Sequence, residues 1–189
     1  MQANWAALEQ AVAHCARCRL SASRICPVLG EGSQKSGVLF VGEGPGREED
    51  LCGRPFVGAA GQLLDKMLAA IHLKREDVYI ANVVKCRPPG NRTPAPDEAA
   101  ACLPYLRQQF VLLRPRVIVC LGATAGRAIC GESLRITRDR GVWRQQKGVW
   151  VLPTYHPAAL LRDPSKKREA WEDLQSLEQK LRELEEKPL

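Results

Sequence analysis

The chain has 189 residues and a mass of 20.9 kDa, with 45% apolar and 26% charged side chains, the composition of a globular domain rather than of a disordered or fibrous protein. No eighteen-residue apolar run is free of charge, and the first residues carry Glu9 with no basic stretch, which argues against a membrane-spanning helix and a secretory signal and leads to the expectation of a cytoplasmic protein that does not engage membranes. Net charge is +7, and because residues 166–187 carry six basic and seven acidic side chains, the excess lies on the body, as suits a polyanionic partner.

In chain order, residues 4–14 have the spacing of a short amphipathic helix leading into Cys15, and Cys15-Ala16-Arg17-Cys18 is a CxxC pair. Residues 19–36 read as loop. Val38–Val41 is a short continuous apolar run, as expected of a strand buried on both faces. It leads into Gly42-Glu43-Gly44-Pro45-Gly46, a tight turn offering backbone N–H groups to an acceptor atom. A dinucleotide loop would need glycine at position 47, where Arg47 stands, and the acidic residues after it would repel a pyrophosphate. Phe56, between Gly53 and Gly58, reads either as a stacking platform for a planar ligand or as a core anchor.

A helical pattern covers 59–72. Val78–Val84 predicts a second strand carrying Asn82, followed by Lys85-Cys86 and a Pro/Gly-rich loop over 85–96. Helix 97–113 carries Cys102. A third strand, Val117–Leu121, ends at Gly122-Ala123-Thr124, where helix 123–130 begins. A fourth, Val149–Leu152, runs to Tyr155-His156-Pro157, and His156 reads as structural or catalytic. Leu160 and Leu161 follow beside Arg162 on a loop, either exposed as a wedge for a base stack or capping the core. Residues 166–187 form a long helix with i,i+4 charge pairs such as Glu183–Lys187, expected to pack on the body.

This β-α-β-α-β-α-β order predicts an α/β fold: a three-layer α/β/α sandwich around a four-stranded parallel sheet. The expected organisation is a single domain over 1–189, with helix and CxxC at 4–18, body at 37–165 and tail helix at 166–187. Ligands of such sheets bind beyond the carboxyl ends of the strands. One rim there gathers a Gly-rich turn, an amide, a helix start and a histidine.

Eight cysteines in a reducing compartment ask for metal, catalysis or burial rather than disulfides. Cys15 and Cys18, with Cys86 and Cys102, make a soft donor set suited to zinc or an iron–sulfur cluster. Cys26, Cys52 or His14 could replace one of these ligands. Cys120 in a strand and Cys130 late in a helix read as small buried hydrophobes.

Taken in order, GEGPG, GRPFVGAAGQLL, NVVKCRPPGNRTPAPDEAAAC, LGATA and PTYHPAALLR resemble the motifs of the family 4 uracil-DNA glycosylases, the iron–sulfur members of their superfamily, over roughly residues 12–165. The resemblance implies the α/β/α fold already expected and a [4Fe–4S] cluster on Cys15, Cys18, Cys86 and Cys102. It implies that Phe56 stacks on uracil, that Asn82 reads its edge, and that His156 with the Glu43–Gly44 backbone stabilises charge on O2. Glu49 falls where the C5 edge would be crowded against thymine's methyl.

In a better-known branch an aspartate positions the attacking water; Gly44 stands at that position here. Asn91 is the candidate for that task, with Glu43 second. A serine common after His-Pro is replaced by Ala158, leaving only a backbone N–H for phosphate, with Leu160 and Arg162 as further DNA contacts. The covalent branch's basic insert with its histidine is absent, and no lysine is placed as a Schiff-base nucleophile. The implied activity is monofunctional: hydrolysis of deoxyuridine in single- or double-stranded DNA to free uracil and an abasic site, as in base excision repair, by a monomer. A helix–hairpin–helix iron–sulfur glycosylase would cluster its cysteines near the C-terminus, unlike this spacing; a non-catalytic metal-stapled nucleic-acid binder is the other rival.

Overall fold

The structure, a computed structural model, describes residues 4–186. Helix α1 (Trp5–Ala13) starts at Asn4, whose side-chain oxygen accepts the Ala7 N–H at 2.7 Å. The elements that follow are β1 (Glu31–Gly32), β2 (Val38–Gly42), α2 (Arg47–Cys52), α3 (Ala59–Ala70), β3 (Tyr79–Asn82), α4 (Pro96–Leu113), β4 (Val117–Leu121) and α5 (Ala123–Cys130). Then come α6 (Ile136–Asp139), β5 (Arg144–Gln146), β6 (Val149–Thr154), α7 (Pro157–Arg162) and α8 (Lys167–Glu186).

The sheet order is β1-β3-β2-β4-β6-β5, and the four inner strands are parallel. These are the four strands expected, but the sheet has six: β1 and β5 add short antiparallel edges. Strand residues alternate between two cores. Leu39, Val41 and Ile118 face α1, α4 and α5, whereas Val38, Phe40 and Val119 face α3, α7 and α8. Burial on both sides is why these runs are apolar without interruption.

The β3 strand ends at Asn82, short of Val84, although Val83 and Val84 still donate to Gly42 and Glu43 carbonyls at 2.9 and 3.2 Å. Helix α2, not expected, has three acidic residues in its first turn, where the positive helix terminus favours them. Helix α8 packs on the body as expected, burying Ala170, Leu174 and Leu177. Its buried Asp173 accepts from Thr154 Oγ1 at 2.6 Å and from the Arg140 guanidinium. The Glu183–Lys187 pair reaches outside the described residues; Glu183 accepts from Lys180 Nζ at 2.7 Å.

Leu160 does not lie on an exposed loop. It sits in α7, 2% exposed, in the core with Leu64 and Leu174. Successive helix residues point about 100° apart, so its neighbour Leu161 takes the outward position, 45% exposed. Leu160 is therefore a core residue, the second of the two readings its sequence position allowed.

Candidate active site and cysteine pocket

Beyond the carboxyl ends of β2, β3, β4 and β6 lies a cleft of about 550 Å³, whose walls include Glu43, Gly44, Phe56, Asn82, Asn91 and His156. Its position follows from the topology. The chain leaves β2 toward α3 on one face of the sheet and leaves β4 toward α5 on the other, which opens a crevice between adjacent strand ends.

Asn82 closes β3 opposite Gly42 and is 1% exposed. Its Oδ1 is one of two buried side-chain polar atoms without a hydrogen-bond partner among the described residues, Arg144 Nε being the other. An unpaired buried amide oxygen costs about 1–3 kcal/mol, and this one lies on the cleft wall, where a ligand's donor can reach it. Gly42 makes the arrangement possible. A Cβ there would lie 2.4 Å from Asn82 Oδ1 and 2.5 Å from the Phe56 ring.

Phe56 has φ of 53°, a left-handed backbone that costs a non-glycine residue about 1–2 kcal/mol. Its ring stacks against His156, with centroids 5.5 Å apart and planes at 29°. Glu49 helps hold this loop. One carboxylate oxygen accepts from the Val57 and Gly58 N–H groups at 2.8 and 2.9 Å, and the other from Gly46 N–H at 3.1 Å. The carboxylate thus ties the Gly-rich turn to the aromatic loop while also lining the cleft.

His156 is the N-cap of α7, and its Nδ1 accepts the Ala158 N–H at 3.1 Å. That bond leaves the ring proton on Nε2. Burial, helped by nearby Arg162, lowers His156 to about 4, so the imidazole is a neutral donor at ordinary pH. The same bond corrects the expectation for Ala158: its N–H is committed to the cap and is not free for a phosphate. Ala158 and Arg162 do line the cleft.

The Glu43 carboxylate accepts a hydrogen bond from Thr124 Oγ1 across the crevice between β2 and β4. Gly44 has no room for an acid without rearrangement, because a Cβ there would meet Val84 Cγ2 at 2.7 Å. Asn91 sits exposed on the cleft wall, its Oδ1 accepting from Arg87 Nε at 2.7 Å.

Across the sheet, Cys15, Cys18, Cys86 and Cys102 line one cavity, together with Arg17, Arg24, Lys85 and Tyr105. None of the eight cysteines is in a disulfide. Arg24 donates to Cys86 Sγ at 3.1 Å, and Lys85 N–H donates to Cys102 Sγ at 3.2 Å. Burial pushes the Cys102 thiol up to about 11. Cys26, Cys52 and His14 are outside the cavity wall, and Cys120 is buried in the sheet. Among the described residues, no three Cys, His, Asp or Glu side chains close on a single-ion site.

The frame of this cavity is an ion-pair knot around Glu98 on α4. Its carboxylate accepts from Arg19 Nε, Arg92 Nη1 and Arg92 Nη2, each at 2.7 Å, and from Ala95 N–H at 2.8 Å. The Arg92 hydrogen bonds, aided by Arg19, hold the carboxyl down at about 2. Three segments that bear the cysteines therefore meet at one residue. Lys85 joins cavity to cleft: its ammonium, 1% exposed, donates to the Asn82 carbonyl at 2.7 Å and to Gln109 Oε1 at 2.6 Å. Burial lowers it to about 8. The sequence singled out neither Glu98 nor the reach of Lys85, because each acts through backbone atoms or residues far away in the chain.

The rim of the parallel sheet thus gathers a buried amide, an aromatic ring and a neutral imidazole in one cleft. The family model described as the Uracil DNA glycosylase superfamily matches residues 29–175, so the chain belongs to that superfamily. The Type-4 uracil-DNA glycosylase of Archaeoglobus fulgidus is 48% identical over 171 residues, covering 86% of both chains. That of Thermotoga maritima is 49% identical over 162 residues, 84% of this chain and 83% of its own. A Type-5 uracil-DNA glycosylase of Pyrobaculum aerophilum is 35% identical over 152 residues, 71% of this chain and 66% of its own. Within the superfamily, the chain falls with the type-4 members.

Proposed function

We propose that the protein hydrolyses the N-glycosidic bond of deoxyuridine in DNA, releasing uracil and leaving an abasic site for base excision repair. The observation that carries this reading is the unpartnered Asn82 Oδ1 on the cleft wall beside Phe56 and His156. The C1′–N1 bond is out of reach inside a base stack, so the nucleotide must be extruded into the cleft. Phe56 stacks on the base. Asn82 accepts from N3–H through Oδ1 and donates to O4 through its amino group; cytosine presents the reverse pattern and would leave buried groups unpaired. The neutral His156 donates from Nε2–H to uracil O2 as charge builds there, with the Glu43–Gly44 backbone as a second donor. Water then takes C1′, held by Asn91 or by the carboxylate of Glu43. Glu49 fixes the loop and borders the C5 edge.

DNA is held mainly through phosphates by a basic body acting as a single-domain cytoplasmic monomer. Arg162 lines the cleft, and the adjacent Leu161 is an exposed apolar side chain open to a neighbouring base.

Cys15, Cys18, Cys86 and Cys102 would hold a [4Fe–4S] cluster. The fit rests on the donor set: four thiols with no carboxylate or imidazole in the cavity wall, two N–H donors to sulfur, and three cationic residues around what would be an anionic centre. When bound, it supplies iron–sulfur bonds that tie the N-terminal segment, the loop after β3 and α4 together.

Incubation with a uracil-containing oligonucleotide tests the activity: free uracil and alkali-labile abasic DNA are expected, and intact DNA would refute it. The cluster is tested by iron and sulfide analysis, with four of each expected per chain; zinc alone would refute it while leaving the activity standing.

A further inference from the structure

The left-handed backbone of Phe56 must be held against its own preference. Glu49 grips the two N–H groups after it, at Val57 and Gly58. The carbonyl side is gripped by a residue from another part of the chain. Arg75, in the short 3₁₀ turn Arg75–Asp77 before β3, donates Nη1 to Phe56 O at 2.9 Å and Nη2 to Pro55 O at 2.6 Å.

The guanidinium is itself fixed: Nη1 also bonds Asp65 Oδ1 on α3 at 2.9 Å, and Nε bonds Glu31 Oε1 on β1 at 3.3 Å. Glu31 is shared with Arg54, two residues before Phe56, at 2.6 and 3.0 Å. Helix α3 presses on the same carbonyl, since a Cβ at Gly61 would lie 1.8 Å from Phe56 O. The loop is thus held at three consecutive peptide groups by two charged side chains of opposite sign.

We propose that Arg75 is a positioning residue for base stacking: by bridging the Pro55 and Phe56 carbonyls it keeps Phe56 left-handed and its ring turned to the cleft. This role rests on the function proposed above. Arg75 is absent from the cleft wall and acts only through Phe56. A planar fork can span two adjacent carbonyls while still meeting Asp65 and Glu31; an ammonium, a single point donor, cannot.

The test uses the full-length, metal-loaded protein with Arg75→Gln, Arg75→Lys and Phe56→Ala, alone and combined. It measures kcat/KM on uracil-DNA, inhibition by free uracil, and Tm. Arg75→Gln is expected to weaken free-uracil inhibition and lower kcat/KM by about 10- to 100-fold, the scale of lost charged hydrogen bonds. Arg75→Lys, which keeps the charge beside Glu31 and Asp65, should recover only a minor part. In the Phe56→Ala background, Arg75→Gln should add less than about 2-fold, because what it positions is already gone.

Additive losses in the double variant would overturn the role, since they mark a general structural contribution. So would free-uracil inhibition and kcat/KM that stay within about 2-fold of wild type in both Arg75 variants. A wild-type protein that releases no uracil would overturn the proposed function and this role together. Excision by wild type with unaffected Arg75 variants would overturn this role alone. If Arg75→Gln fails to fold by Tm, Arg75→Lys carries the same comparison.

Discussion

The rim and the cysteine cavity are both assembled from distant chain segments, but they are finished in opposite ways. At the rim an amide, an aromatic ring and a neutral imidazole stand beside the Glu43 and Glu49 carboxylates, and one buried oxygen, Asn82 Oδ1, has no partner among the described residues. Around the sulfurs the groups are cationic or donors, and the frame closes on a fully buried carboxylate with four hydrogen bonds. An unpaired acceptor suits a cleft that binds and releases a ligand, whereas cationic side chains suit a cavity lined with thiols.

The sharpest way to break this contrast is Asn82→Ala, which removes the open amide. A loss of about 10⁴-fold in kcat/KM is expected, on the scale of a site that loses a specific base-edge contact. Asn82→Asp should additionally weaken discrimination against cytosine, because a carboxylate cannot donate to O4; single-turnover assays on uracil and cytosine substrates check both. His156→Ala should cost about 10²–10³-fold in kcat, the scale of one lost donor to developing charge.

A pH profile sharpens the same point. With His156 lowered to about 4, its ring stays neutral and the rate should show no histidine step between pH 5 and 8, falling only as pH approaches 4. Stability behaves differently: the unfolded chain protonates this histidine near its ordinary pKa while the folded one resists, so its contribution erodes as pH drops below about 6.5, down to about 4.

Leu160→Ala should lower stability by about 2–5 kcal/mol in a denaturant titration, whereas Leu161→Ala should leave it nearly unchanged. On the cavity side, Glu98→Ala should cost about 1–3 kcal/mol, less than a fully buried pair because Arg19 and Arg92 reach solvent. Its carboxyl is lowered to about 2, so its contribution is present above the ordinary glutamate pKa and lost as pH falls through about 2.

How far the fold could be read from sequence follows from how many neighbours decide each element. The four parallel strands are legible because burial on two faces writes itself as Val38–Val41 or Val117–Leu121, runs with no polar interruption. Strands β1 and β5 have two and three residues, polar and half-exposed, and exist because a neighbour offers an edge. Leu160 and Leu161 differ by one step around a six-residue helix, too short for a periodicity to say which one faces inward.

The positions of Asn82 and His156 on one rim follow from strand ends and that of Phe56 from the family resemblance, and the structure gathers all three. The choice of four cysteines among eight came from family resemblance, since spacing alone left Cys26 and Cys52 open. Arg75 was invisible because its partners are main-chain carbonyls, which leave no trace in side-chain identity.

One lysine spans the two regions. The main-chain N–H of Lys85 touches a sulfur, and the far end of its side chain touches the carbonyl of Asn82, three residues earlier. The sulfur-bearing turn of α4 and the tip of β3 are therefore joined through one residue. If the sulfur end holds the proposed cluster, its loss would be passed through this one residue to the tip of β3 that carries Asn82.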